Sequence, residues 1–252
     1  MSTASLSETD KRIFGPLFVI PQELLGDFSM QGRCPILMQF RAETSGGLLN
    51  WTMDYWNALS PSIERLLATG EKVGYSSDAH LVELLRRHSP QEKSVIVIGS
   101  VHPLYEALVY RMGGRPSTVE FRKINHNIPW LETFTVDEFH AAKREYDYGL
   151  TISALEHDGL GRYGDPIDPN GDLKTMRSYK SYLKKGGLMF LSVPVGQDAV
   201  CWNSHRIYGR YRLPMLLDGW EIIDQSGFDP GLFDLGIAGQ DYREPVLVLR
   251  NS

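Results

Sequence analysis

The stretch LTISALEHDGLGRYGDP, residues 150–166, ends an apolar run of strand length on Glu156, His157 and Asp158. It then enters a loop that sets Gly159, Gly161 and Gly164 around Arg162, Tyr163 and Asp165. An imidazole titrates near neutrality, so His157 can take a proton from a hydroxyl or an amine while that group attacks an electrophile. Glu156 or Asp158 can orient the ring and raise its basicity. Arg162 and Tyr163 suit a carboxylate, a phosphate or a sugar hydroxyl. Structural roles compete with each of these: Asp158 as a cap on backbone N–H groups, and Arg162 in a salt bridge to Asp165 or Asp168. A second polar group, His205, Arg206, Tyr208 and Arg210, follows Trp202. It supplies His205 as an alternative base, with a solvated helix face as the structural reading. His80, His88, His126 and His140 show no such convergence and are read as surface residues.

Upstream, Gly99 has no Cβ to hold a ligand away from the backbone. Glu120 stands 21 positions later, a spacing at which a carboxylate accepts hydrogen bonds from both hydroxyls of a ribose. The turn GSVHP lacks the later glycines of a dinucleotide fingerprint, and His102 and Pro103 stand where a pyrophosphate needs backbone N–H groups. A cofactor with a ribose and no pyrophosphate fits this turn better than NAD.

These residues fall at the ends of predicted strands. Val95–Ile98 is a short, wholly apolar run of the kind buried on both faces of a parallel sheet. Pro103 opens a helix with Leu104, Ala107, Leu108 and Met112 inward, Gly113-Gly114 ends it, and Thr118–Phe121 reads as the next strand, which carries Glu120. Further strands are expected at Glu132–Thr135, Leu150–Ala154 and Leu188–Val193, with helices over Asp137–Lys143 and Leu173–Lys184 between them. His205–Leu217 reads as helical up to Pro214, and Trp220–Ile223 and Pro245–Leu249 read as closing strands. The alternation predicts a doubly wound α/β fold over residues 91–252, whose ligands lie beyond the carboxyl ends of the strands.

Residues 1–90 lack that rhythm. They mix Pro35, Gly46-Gly47, Trp51, Tyr55 and Trp56 with two helices, one opening at Ser60-Pro61 with Ile63, Leu66 and Leu67 on a face, one over Asp78–Arg87 with Leu81, Leu84 and Leu85. This part reads as a mainly helical, aromatic extension. Its aromatics either pack against the sheet or cover a ligand, which makes it a candidate lid or a surface for self-association into a homo-oligomer.

Composition bounds the rest. The 252 residues are 42% apolar and 23% charged with a net charge of -5, values of an ordinary soluble globular chain. The mild acidity and the absence of a Lys/Arg block argue against nucleic acid as a partner. No CxxC or HExxH pattern points to a metal, and the distant Cys34 and Cys201 suit a reduced compartment or a single bridge. The opening MSTASLSETDKRIFG has no apolar core of a secretory signal, and no run approaches the roughly 20 apolar residues that cross a bilayer, so no membrane partner and a cytoplasmic location are expected.

VIGSVHPLYE at 97–106, TVEF at 118–121, SALEHDGLGRYGDPIDPNGD at 153–172 and LKKGGLMFLSVPVG at 183–196 together resemble the class I S-adenosylmethionine-dependent methyltransferases. The EHDGLGRYGDP run resembles, more narrowly, a family known as domain of unknown function 268. The resemblance covers roughly residues 90–252. It implies a mostly parallel Rossmann-like sheet with an antiparallel last strand and S-adenosylmethionine as cofactor. By position, Gly99, Ser100 and His102 would hold the methionine part, Glu120 the ribose and the Val136-Asp137 region the adenine, with Leu155, Glu156 and His157 beside the sulfonium and the substrate. Val97, Val101 and Pro103 depart from the acidic residue and further glycines common in that fold. The implied activity is methyl transfer to an oxygen or nitrogen nucleophile of a small-molecule acceptor. Asp158, Arg162, Tyr163, Asp165 and Asp168 suggest a sugar or polyhydroxylated one, with Arg206 and Tyr208 as further substrate contacts. The alternatives are a catalytically silent binding module on the same fold, or elimination or isomerisation in the same pocket with His157 as base.

Overall fold

The computed structural model describes residues 19–38, 48–236 and 241–252. The opening segment MSTASLSETDKRIFG and the Gly46-Gly47 pair lie outside the described residues. A single helical turn α1 (Leu25–Phe28), β1 (Ile36–Met38) and β2 (Leu49–Trp51) lead into α2 (Met53–Ala58), α3 (Ser60–Thr69) and α4 (Asp78–Arg87). Then come β3 (Ser94–Ile98), α5 (Leu104–Arg111), β4 (Arg115–Val119), β5 (Ile124–His126), β6 (Glu132–Phe134), α6 (Val136–Ala142) and β7 (Tyr146–Ile152). The chain closes with α7 (Gly171–Ser178), β8 (Leu183–Ser192), β9 (Ala199–Trp202), β10 (His205–Ile207), α8 (Arg212–Leu216), β11 (Glu221–Ser226) and β12 (Val246–Arg250).

Seven strands form one sheet in the order β11-β12-β8-β7-β3-β4-β6. β8, β7, β3, β4 and β6 run parallel, and β12 is inserted antiparallel between β8 and β11. This is the doubly wound α/β sheet of the class I methyltransferase type that the resemblance implies, with its antiparallel last strand. The apolar runs explain it. Successive residues of a strand point to opposite faces, so Val95 and Val97 enter one core while Ile96 and Ile98 enter the other. Val246 and Val248 against Leu247 and Leu249 divide in the same way.

Helices α2 to α5 cover one face through Trp56, Ile63, Leu66, Leu81, Leu84, Leu85 and Leu108, which share a core with Val95, Val97 and Leu150. Phe139 of α6, Leu173 and Met176 of α7, and Leu213 and Leu216 of α8 cover the other face. Residues 53–87 are thus one layer of the sheet's own packing. Among the described residues no helix is long and apolar enough to cross a membrane.

Two local expectations are corrected. The helix expected over Leu173–Lys184 ends as a 3-10 turn at Tyr179–Tyr182, and β8 begins at Leu183. The helix expected from His205 to Pro214 is instead a hairpin: β10 pairs antiparallel with β9, His205 opposite Cys201 and Ile207 opposite Ala199, around Asn203 at φ +60°. β9 also pairs in parallel with β1, giving a small separate sheet. Only α8 is helical there, and Pro214 sits in its first turn, where a backbone N–H has no partner to lose.

Candidate functional site

β4 and β7 flank β3, so the chain leaves all three strands side by side, with neighbouring exits about 5 Å apart. Gly99 follows β3 at φ +76°, and a Cβ there would come within 2.5 Å of the Ala154 Cβ. The glycine is therefore required by the close approach of the two strand exits as well as by its backbone conformation.

The turn that follows is gripped from below and from outside. Ser100 Oγ reaches Glu106 Oε2 at 3.1 Å and the His102 carbonyl at 2.9 Å, and Thr118 Oγ1 donates to Glu106 Oε1 at 2.8 Å. Glu106 is fully buried, and that burial pushes its carboxyl up to about 7. From outside, Trp51 Nε1 donates to the Val101 carbonyl at 3.2 Å, and the Tyr55 hydroxyl lies 2.8 Å from His102 Nδ1. The aromatic segment before residue 60 thus fastens the turn that lacks the usual glycines.

Glu120 follows β4 and is buried; Arg122 engages its Oε1 through Nε at 3.2 Å. Burial raises its carboxyl above the ordinary range, with Arg122 pulling it back.

Past β7, Ser153 holds φ +51° and its Oγ donates to Glu156 Oε1 at 2.7 Å. Leu155–His157 is one 3-10 turn that drives Leu155 into the core beside Leu173 and Val193. His157 Nδ1 lies 2.6 Å from the Ser204 carbonyl, and Nε2 lies 3.7 Å from Glu156 Oε1. Arg162 shares the Ser204 carbonyl at 3.3 Å and lies over the Tyr163 ring, which Arg122 approaches at 6.0 Å.

Asp165 accounts for the run of glycines. Its Oδ2 accepts from the Gly159 and Gly161 amides at 2.7 and 3.1 Å, and its Oδ1 from the Tyr163 amide at 3.2 Å. Gly159, Gly161 and Gly164 all hold positive φ, which lets the amides turn inward around one carboxylate. Removing the acceptor strands three donors. Asp165→Ala is expected to cost about 1.5–3 kcal/mol in urea unfolding, with amide exchange at Gly159, Gly161 and Tyr163 accelerated and the central strands still protected.

Arg206 and Tyr208, expected at the substrate, are corrected. Both are wholly buried beneath this loop. Arg206 donates to the carbonyls of Glu156, Asp158, Asp168 and Pro169, tying the two ends of the loop together. The Tyr208 hydroxyl donates to Asp172 Oδ2 at 2.9 Å, and Arg212 Nε reaches the same oxygen at 2.9 Å. A signal for this role existed only in the pairing of distant charges.

One cavity of about 700 Å³ runs across these strand ends. It gathers Gly99, Ser100, His102, Glu120, Glu156, His157, Asp158, Arg162, Tyr163, Asp165 and His205 from the sequence expectations. Leu155, Asp137, Arg206 and Tyr208 do not line it, although Val136 does. Tyr75, His140, Ser204 and Tyr242 line it without having been expected, His140 having been read as a surface residue. Burial pushes Glu156 up to about 8 and Asp158 up to about 7. Two carboxyls that hold protons near neutrality in one cavity mark a site suited to proton transfer. Among the described residues no group of His, Cys, Asp and Glu is arranged to hold a metal ion.

Among solved structures the chain is similar to the 1,6-didemethyltoxoflavin-N1-methyltransferase of Burkholderia thailandensis, which has bound 1,6-didemethyltoxoflavin and S-adenosylhomocysteine. Identity is 16% over 67% of this chain and 75% of that chain, with a TM-score of 0.49. The glycopeptide N-methyltransferase MtfA complexed with S-adenosylhomocysteine is 15% identical over 75% of this chain and 97% of its own, with a TM-score of 0.43. A TehB-like S-adenosylmethionine-dependent methyltransferase from Corynebacterium glutamicum is 10% identical over 78% and 97%, with a TM-score of 0.42. At such identities and scores it is the strand order, not these likenesses, that establishes the fold. No curated protein matches the chain. Residues 92–235, more than half of the chain, match the family described as Caenorhabditis protein of unknown function, DUF268, and the chain belongs to that family.

Proposed function

We propose that this protein transfers a methyl group from S-adenosylmethionine to an oxygen or nitrogen nucleophile of a small molecule. The observation that carries the reading is a cavity in which Glu120 and Glu156 stand on either side of the Gly99 turn. Its volume, about 700 Å³, lies within the range of small-molecule sites.

The residues present fit such a cofactor. Glu120 offers a buried carboxylate oxygen to a ribose, the Gly99–His102 turn is held open by Glu106, Trp51 and Tyr55, and Glu156 has a buried oxygen without a hydrogen-bond partner among the described residues. Bound there, the cofactor supplies an electrophilic methyl group on a sulfonium sulfur. The chain supplies position and proton transfer. Ser153 and the Ser204 carbonyl fix Glu156 and His157 relative to each other. Asp165 is saturated by its own loop, which removes one of the groups that favoured a polyhydroxylated acceptor.

Titration calorimetry with S-adenosylhomocysteine and a mass-spectrometric assay of methyl transfer over candidate acceptors test the reading. Micromolar binding and an acceptor heavier by one methylene are expected. Absence of heat, together with no rise in melting temperature, overturns it. With a substrate in hand, whichever of His157→Ala and His205→Ala removes a base lowers turnover and leaves cofactor affinity nearly unchanged.

A further inference from the structure

The turn after β3 reads GSVHP, and Pro103 takes one backbone N–H away from it. A cofactor with an amino-acid end brings a carboxylate, which is recognised by N–H donors. A turn poor in glycine and short of an amide has to supply part of that recognition from a side chain.

His102 is the side chain in position. It is exposed and lines the cavity. Its backbone is fixed, because its carbonyl accepts from Ser100 Oγ at 2.9 Å and from the Leu104 amide at 2.7 Å. Its ring is held from the other side by Tyr55, which does not line the cavity: the hydroxyl lies 2.8 Å from Nδ1, and the two rings meet edge to face with centroids 6.1 Å apart. With Nδ1 engaged outside the cavity, Nε2 is the nitrogen left for a ligand. A tyrosine hydroxyl keeps its proton at neutral pH. Donated to Nδ1, it leaves the proton of a neutral imidazole on Nε2, which makes that nitrogen a donor.

Tyr55 is itself anchored. Thr52 caps α2 by accepting the Tyr55 amide at 3.1 Å, and the Met53 amide donates to Asn127 Oδ1 at 2.7 Å. Just before them, β2 pairs in parallel with β5, Trp51 opposite His126, and buried Trp51 donates to the Val101 carbonyl at 3.2 Å. The segment therefore grips both the turn after β3 and the chain that follows Glu120. It lies outside residues 92–235, the part that matches the family.

We propose that Tyr55 is a positioning residue of the cofactor site: its hydroxyl donates to His102 Nδ1 and so directs His102 Nε2–H to the carboxylate of the cofactor's amino-acid end. This rests on the methyl-transfer reading and adds the segment around α2 to the binding machinery.

The test uses the full chain and two probes. S-adenosylhomocysteine carries the carboxylate, whereas methylthioadenosine keeps the adenosine and the sulfur and lacks the amino-acid end. Titration calorimetry is expected to show His102→Ala weakening S-adenosylhomocysteine roughly tenfold or more with methylthioadenosine unchanged. His102→Gln, which keeps an N–H donor at similar reach, retains more of the affinity. Tyr55→Phe weakens S-adenosylhomocysteine about 3–10-fold and adds nothing in the His102→Ala background, because it acts through that ring. Nitrogen NMR of the His102 ring reports the tautomer, expected as Nε2–H in the unaltered protein and mixed in Tyr55→Phe, a change that a packing role would not produce. Unchanged S-adenosylhomocysteine affinity in His102→Ala overturns the proposal. So do an equal loss of both probes, additive effects of the two substitutions, or an Nδ1–H ring in the unaltered protein. Failure of S-adenosylhomocysteine to bind the unaltered protein instead overturns the methyl-transfer reading itself.

Discussion

Asp172→Ala is expected to destabilise the protein by about 3–5 kcal/mol, because it leaves two guanidinium groups buried without their carboxylate. Asp172 is wholly buried, and it receives Arg212 through Nε at 2.9 Å, the Tyr208 hydroxyl at 2.9 Å and Arg206 at 3.7 Å. Burial alone pushes this carboxyl up, but Arg206 and Arg212 outweigh it and hold the group below its ordinary value. The sign follows. A carboxyl depressed in the folded state contributes fully above its unfolded pKa, near 4, and its contribution fades as the pH falls below that. The difference between the variant and the unaltered protein is therefore largest at neutral pH and shrinks in acid. A chain of this size loses about 2–4 °C of melting temperature per kcal/mol, so a drop of roughly 6–20 °C is expected by calorimetry or circular dichroism. A drop of a degree or two would show that the cluster adds nothing beyond apolar packing. Arg206 also holds four carbonyls of the loop between Glu156 and Pro169, so amide exchange in residues 158–169 is expected to rise with the loss of stability.

The second large effect concerns binding. Glu120→Ala is expected to weaken S-adenosylhomocysteine by about 10–150-fold, the value of one or two hydrogen bonds to a charged group, with the melting temperature of the ligand-free protein nearly unchanged. Glu120 ends a strand, is buried, and meets Arg122 on Oε1. Its removal takes away the proposed ribose contact and frees Arg122 from its partner, without opening the core of β3 and β4. Glu120→Gln, which keeps one acceptor oxygen and loses the charge, falls between. Titration calorimetry decides the matter: equal affinities for all three proteins would remove Glu120 from the site.

These expectations draw unequally on what was legible in the chain. β3, β12 and the second half of β8 are written as continuous apolar runs because a strand covered on both faces needs apolar side chains in both directions. Helices α3 and α4 are written as apolar stripes at helical spacing. Gly99, Glu120 and Glu156-His157-Asp158 follow from that pattern, since they stand where those runs end and a doubly wound fold places its ligand there.

The hairpin β9–β10 was not legible. RIYGRYRLP spaces its apolar residues as a helix does, and its true state is set by pairing with β9 and, through β9, with β1. Nor were the assignments of the charges. Arg206 and Tyr208 look like surface groups in order of sequence and are buried against Asp172 and the loop carbonyls. Glu106, in an ordinary-looking helix, lies beneath Ser100 and Thr118. Asp165 is taken by its own amides, while Glu156 holds a buried Oε2 with no hydrogen-bond partner among the described residues. By itself, then, the sequence determined where the strands lie and which of their ends carry ionisable groups, because hydrophobic periodicity is local and repeats along the chain. Only the tertiary structure decided which of those groups hold the protein together and which line the cavity. A carboxylate's role is set by what lies within a few ångströms of it, and those partners come from residues tens of positions away.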